Sequence, residues 1–384
     1  MKRTLLRAAE PGRSPEPPIA RRSIDSIQWA RGIAALGVFL FHLDMSITEK
    51  FGRTWCSGWF FGGATGVEFF FILSGFIILH THLQDIGRPD RFSSFVTKRF
   101  IRLYPIYWLC VLPLGLALLA GAGANGHRDL TVVQFVMDLL LIPREGVRVL
   151  QPAWTLQHEL VFYIAFSAMI FHARLGLLAL VLWQVACLAT LIFDLIPVGY
   201  QNMQPLARFL GHENFGFAIG MLVAWIYRKY GHGQAMLFRL IGAAGAVGVG
   251  VALWLRGASG VVILPNAAAE ALLFFALYAM VMIGLLTVRV AGPSRVGASL
   301  GLLGSASYVL YLIHEPIISA SIKLAQSPIL AGRAMGLVVG LVILLVGISA
   351  SIAVHKLIEQ PLLVLLRNAA FGRRPASGMA AQPS

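Results

Sequence analysis

Trp29–Leu43 reads WARGIAALGVFLFHL, an apolar helical run with Arg31 near its start and His42 near its end. Eleven positions separate the two, which at roughly 100° per residue brings them within about 20° of one helix face. A rise of about 1.5 Å per residue sets them about 16 Å apart along the axis, roughly half of a ~30 Å hydrocarbon core. Ionisable groups inside a membrane span are costly and face a partner or a water-filled cavity, so two on one face mark a candidate site.

The rest of the chain repeats the apolar pattern. Of 384 residues, 58 % are hydrophobic and only 12 % charged, with mean hydropathy +0.76. Soluble domains carry about 25 % charged residues, so a soluble globular protein is excluded. Strand alternation of the barrel type is absent. The runs predict an all-α, polytopic membrane bundle of about ten spans, at 29–47, 59–80, 103–122, 154–172, 175–194, 208–227, 238–255, 266–287, 304–323 and 332–354. Leu130–Ile142 is shorter, holds Gln134 and Asp138, and stops at Pro143, which suits a re-entrant or interfacial segment. Residues 1–22 and 362–384 read as disordered basic cytoplasmic tails around a membrane domain at 23–361, and no cleaved signal is expected.

Charge placement sets the expected sidedness. Ten spans with both termini cytoplasmic put 21 Lys and Arg inside and 9 outside, Arg31 set aside; a span at 130–142 would make the split 17 to 13. The positive-inside rule therefore favours ten. The same placement accounts for the net charge of +14, and no nucleic-acid partner is expected. Cys56, Cys110 and Cys187 have no metal-like or disulfide spacing, and no metal is expected. Gly-rich IGAAGAVGVGVAL and GRAMGLVVGLVILLVG suit close helix packing.

In this topology His42 and Glu159 lie roughly 8 Å from the outer surface and Glu68 roughly 13 Å, at about 1.5 Å per residue. His314 falls near mid-membrane with Glu315 beside it. A shared polar cavity is the economical explanation. On the inner side, TKRFIRLYP places Arg99 and Arg102 on one face beside Lys98, with Tyr104, Tyr107 and Trp108 following. Taken alone, this is an ordinary positive-inside anchor with an aromatic belt. It would also serve as a clamp for phosphates, because guanidinium forks match phosphate oxygens. His80 and His82 read as interfacial residues.

These pieces together resemble the integral-membrane acyltransferase 3 family. The resemblance runs from about Ser26 to Pro361 through WARGIAALGVFLFH, GVEFFFILSGF, KRFIRLYPIYW, WTLQHELVFY, SYVLYLIHEPI and IEQPL, in the family's order. Within the family the chain looks most like exopolysaccharide O-acetyltransferases. It departs where relatives often read a Ser-containing tWSL…E, here WTLQHE with His158 before Glu159, and in carrying Glu68 where Asp is common.

The resemblance implies transfer of an acyl group, usually acetyl, from cytoplasmic acyl-CoA to a hydroxyl of a polysaccharide or lipid-linked glycan, at a bacterial inner membrane. Such chemistry needs deprotonation of the alcohol, stabilisation of an oxyanion and a site for the anionic CoA. His42 is the candidate base or proton shuttle, or the site of a covalent acyl intermediate. Glu159 would orient His42, bind the acceptor, or pair with an arginine; Glu68 and His314 are further candidates. Ser74 in the SGF motif reads as a packing residue with Gly75. Arg31, Arg99 and Arg102 would hold CoA phosphates, with Tyr104 and Trp108 near the adenine or pantetheine. A non-glycan acceptor is an alternative. So is a proton-coupled transporter, although no inverted repeat is visible; a scaffold would not require ionisable residues in its spans.

Overall fold

The computed structural model describes residues 19–52, 55–121, 130–193, 195–196, 204–231, 233–259, 267–288, 294–325 and 336–372. Among them there is no strand. The helices are α1 (Ile19–Phe51), α2 (Gly66–His82), α3 (Phe92–Leu119), α4 (Val132–Leu139), α5 (Ala153–Phe171), α6 (Ala173–Ile192) and α7 (Pro205–Leu210). They continue as α8 (Phe215–Tyr230), α9 (Ala235–Ser259), α10 (Ala267–Leu285), α11 (Arg295–Ser305), α12 (Ser307–Ala325), α13 (Gly336–Val354) and α14 (Gln360–Phe371).

Among the described residues, eight helices are long and apolar enough to cross a membrane, and nine if α11 and α12, bent by 69° at Ala306, count as one broken span. This makes the protein the all-helical, polytopic membrane protein expected, with nine of the ten expected spans among these helices. The tenth, α5, is 19 residues long, but Gln157, His158 and Glu159 in successive positions reduce its hydropathy. Helix also extends past both expected limits of the membrane domain. Residues 19–22 are the start of α1, and 362–371 form α14, because Pro361 sits in the first turn, where its missing N–H is no loss. Residues 1–18 and 373–384 lie outside the described residues.

Helix α2 is the centre of the bundle. Of its apolar stretch 72 % is buried, against 22–39 % for the other spans, and α1, α8 and α10 pack around it. The contact with α8 is backbone to backbone. A Cβ on Gly75 would lie 2.0 Å from the Phe217 carbonyl oxygen, and one on Gly220 would lie 2.0 Å from that of Ile72. In hydrocarbon, where apolar surface alone does not drive helices together, such close approach supplies the packing. Gly242 and Gly284 bring α9 and α10 together similarly, so the first Gly-rich run does what its spacing predicts.

The 130–142 segment holds only the eight-residue α4, about 12 Å long, too short to cross. A capping box of Thr131 and Gln134 starts it. A helix end leaves carbonyls without intrahelical partners, and three aromatic donors from α3 satisfy them here. Tyr107 donates to the Asp138 carbonyl, Trp108 Nε1 to that of Leu139 at 2.9 Å, and Tyr104 to that of Leu140 at 3.1 Å. Asp138 then orders the chain that follows, accepting from Arg144 Nε and Nη2 at 2.8 and 2.7 Å and from the Val149 amide at 2.9 Å.

Replacing Gly75 or Gly220 by Ala should force α2 and α8 apart and cost about 1–3 kcal/mol. Thermal denaturation of the detergent-solubilised variants measures this, and melting curves equal to wild type would mean the contact is looser than described.

Candidate active site

One cavity of about 860 Å³ enters the bundle between α2, α3, α5, α12 and α14. Its outer rim holds exposed Lys98 and the end of α14, while Thr155, Leu156, Ser307 and Tyr311 line its buried end. Among the described residues, five cations line it, Arg31, Lys98, Arg99, Arg102 and Arg367, against a single carboxylate, Glu159. The expected phosphate residues Arg31, Arg99 and Arg102 therefore meet in one space.

Each arginine of the RxxR pair is held from behind. Arg99 donates to His82 Nε2 at 3.0 Å, and the opposite ring nitrogen of His82 lies 2.7 Å from Asp85. His82, expected at the interface, is instead buried and positions Arg99. Arg102 donates to Glu359 at 3.1 Å and lies over the Tyr308 ring. Glu359 is fully buried, accepts from His355 Nδ1 at 2.6 Å, and belongs to a π-helical turn, His355–Glu359, that links α13 to α14. Such turns recur at functional sites because they redirect one side chain without ending the helix. Glu359 lies in IEQPL, but nothing in its local spacing points to α3.

Glu159 lines this cavity and not the surroundings of His42. It accepts from Ser74 Oγ at 3.2 Å and from the Tyr163 hydroxyl, and it lies within electrostatic range of Arg31. Its hydrogen-bond partners are Ser74 and Tyr163, while Arg31 donates to Gln28 at 3.0 Å. Ser74 thus faces the cavity while Gly75 makes the helix contact. Ser307 Oγ, fully buried at the cavity wall, has no hydrogen-bond partner among the described residues. Tyr104 does not line the cavity. It stacks on Phe100 and holds α4, as Trp108 does, so neither lies with the arginines at the cavity.

His42 sits in an adjoining cluster with His314 and Glu315. The His42 and His314 ring centres are 4.9 Å apart, and His42 Nδ1 is 3.7 Å from Glu315 Oε1, an ion-pair distance longer than a hydrogen bond. His314 donates from Nδ1 to the Tyr311 carbonyl at 2.7 Å, which leaves Nε2 as its acceptor nitrogen, buried and without a partner among the described residues. Donor atoms of the three residues lie within 4.8 Å of one another, so the set suits a proton relay and by donor type also a metal ion. Tyr311 divides this cluster from the cavity. Its ring centre is 5.7 Å from that of His314, its hydroxyl is 3.0 Å from that of Thr155, and it lines the cavity's buried end. Glu68 is buried near the start of α2, within electrostatic range of Tyr278 and Tyr311, and outside both sets.

A second polar node surrounds His158, which is fully buried. Its Nδ1 is 3.0 Å from Asn214 Oδ1, its Nε2 is 3.3 Å from Arg208 Nη1, and Arg208 lies over the Trp154 ring. This joins α5 to the turn after α7, a structural role for the residue that departs from the family pattern. Arg148, in the loop after α4, is buried nearby. Burial, with Arg208 in range, lowers it to about 10, so it stays charged at neutral pH.

The acyltransferase domain family matches residues 24–356. The chain belongs to the acyltransferase 3 family. It is similar to the exopolysaccharide production protein ExoZ of Rhizobium meliloti, 27 % identical over 332 residues that cover 83 % of this chain and 94 % of that protein. A Staphylococcus aureus protein named "Putative O-acetyltransferase" is 25 % identical over 162 residues, covering 39 % of this chain and 25 % of that one. "Protein 2 in picA locus" of Rhizobium radiobacter is 29 % identical over 150 residues, 34 % of this chain and 74 % of that protein. No solved structure matches the chain. Family and relatives make this acyltransferase 3 protein a membrane O-acyltransferase.

The two faces of α3 should separate cleanly by mutation. Arg102→Ala should raise KM for the acyl donor about tenfold or more, the scale of a charge-assisted hydrogen bond. Tyr104→Phe, which loses only the bond to Leu140, should leave that KM at the wild-type value. A raised donor KM in Tyr104→Phe would return this tyrosine to the donor site.

Proposed function

We propose that this protein transfers an acetyl group from acetyl-CoA to a hydroxyl of a surface or lipid-linked polysaccharide, at a bacterial inner membrane, with His42 as base. The observation that carries this reading is the adjacency of the basic cavity and the His42–His314–Glu315 cluster across Tyr311. CoA is a strongly anionic thioester carrier, and a cavity with five cations and one carboxylate matches it in sign. The positive-inside rule would turn the Lys98–Arg102 end toward the cytoplasm, where acyl-CoA is present. The polysaccharide acceptor is supported by ExoZ, an exopolysaccharide production protein matched over nearly its whole length.

In this mechanism His42 accepts the proton of the acceptor hydroxyl at Nε2 while Glu315 lies beside Nδ1 and stabilises the imidazolium. The hydroxyl oxygen attacks the thioester carbonyl carbon, and the C–S bond breaks as the new C–O ester bond forms. The proton passes from His42 to the departing sulfur, giving free CoA thiol and an O-acetyl ester. His314, held as one tautomer by the Tyr311 carbonyl, offers Nε2 as a second acceptor in the same pocket. Arg31, Arg99 and Arg102 hold phosphate groups and do not move protons.

Purified protein in detergent or liposomes, supplied with acetyl-CoA, should release CoA thiol faster when a hydroxylated glycan is added. His42→Ala should lower that turnover about 10²- to 10⁴-fold, the range of general base catalysis. Glu315→Gln should reduce kcat with donor KM nearly unchanged. Full activity in His42→Ala would move the chemistry elsewhere, and uptake of a solute with no thiol release would favour the transporter.

Extended dialysis against a chelator separates the relay from a metal centre. Unchanged turnover is expected, and loss restored by a divalent cation would reassign the three residues as ligands.

A further inference from the structure

Helix α14 lies beyond the family match, which ends at residue 356, yet it builds one side of the cavity's rim. It packs on α3 and contributes Arg367, Asn368 and Phe371 to the lining, opposite Lys98. Lys98 Nζ lies 5.9 Å from the centre of the Phe371 ring. The rim cations differ from the deeper ones. Arg102 is bound to Glu359 and Arg99 to His82, whereas among the described residues neither Lys98 nor Arg367 is held in an ion pair. All four rim side chains are exposed.

This division matches the way charge is distributed in a nucleotide thioester. CoA carries a diphosphate between its pantetheine arm and its adenosine, and a separate 3′-phosphate on the ribose, at the end remote from the sulfur. With the thioester directed toward Tyr311 and His42, the diphosphate falls among the deeper arginines and the adenosine end at the rim. We propose that α14 and Lys98 form a subsite for the adenosine 3′-phosphate, with Arg367 and Lys98 as its cations. Phe371 is an exposed aromatic surface against which the purine stacks. The subsite makes the enzyme selective for a nucleotide-bearing donor over an acyl group on phosphopantetheine alone. The inference rests on the acyl-CoA reading above and deepens it. It also gives α14 a task beyond the matched domain.

The test is direct binding, by calorimetry, of CoA and 3′-dephospho-CoA to the full-length protein in detergent. Wild type should bind CoA about tenfold more tightly, the scale of one charge-assisted hydrogen bond. Arg367→Ala should bring CoA down to the affinity of 3′-dephospho-CoA while leaving 3′-dephospho-CoA itself unchanged, which also shows that the variant is folded. Lys98→Ala, on a different helix, provides the same comparison if Arg367→Ala does not fold. Equal affinity of wild type for both compounds, an unchanged preference in the variants, or an equal loss for both compounds would overturn the subsite and leave the acyl-CoA reading standing. Failure of wild type to bind either compound would overturn both.

Discussion

A charged side chain at the centre of a bilayer costs about 2.5–3.5 kcal/mol on insertion scales. Nearly every polar feature of this bundle answers that cost. Arg31 is turned into the cavity with Glu159, Arg102 and Glu359 in electrostatic range. Glu159 is hydrogen-bonded by Ser74 and Tyr163, and His42 has Glu315 beside it. Helix α2 makes the inward-facing arrangement possible by presenting different surfaces to different neighbours. Gly75 lies against the α8 backbone, while the adjacent Ser74, about 100° around the helix, faces the cavity. Close packing and the polar interior are consequences of the same helix.

The RxxR arginines show how a cavity lining and a stabilising contact coincide. For the phosphate role proposed above, a guanidinium must be charged, oriented and only partly neutralised. Arg102 shares Glu359 with His355, and the π-helical turn at His355–Glu359 places that carboxylate against α3. Arg99 has a histidine behind it, His82, oriented by Asp85. Neither arginine must search rotamers when an anion arrives, which lowers the entropy lost on binding. The same contacts tie α3 to α2 and to the α13–α14 turn, so the walls of the cavity are fixed by its own cations.

Most helices, their approximate limits and the α1 and α3 cations of the cavity are legible from local pattern. Apolar length and charge placement act along the chain, so Arg31, Arg99 and Arg102 could be located by depth. Depth carries no information about which way a helix is turned or which helices are neighbours. That is why Glu159, at the depth of His42, appears a suitable partner for it and lies instead with Ser74 and Arg31. Glu315, next to His314 in sequence, is the carboxylate that faces His42. Tyr104 illustrates the same gap: its place near RxxR suggests the donor, but its hydroxyl answers the unpaired carbonyl at the end of a short helix. The extension through α14 is hidden because 362–384 reads as a disordered tail, although Pro361 in a first turn is compatible with helix.

What remains is the wall between the two halves of the site. Tyr311 and Phe70, with ring centres 6.1 Å apart, line the cavity's buried end, and His314 stands behind Tyr311. In the reaction proposed above, a thioester held by the arginines must present its carbonyl past these rings to reach a hydroxyl activated by His42. The hydroxyl contact between Tyr311 and Thr155 ties the wall to α5, the helix that also carries Glu159. One helix, α5, therefore carries both the cavity carboxylate Glu159 and, one turn away, the Thr155 hydroxyl that holds the wall.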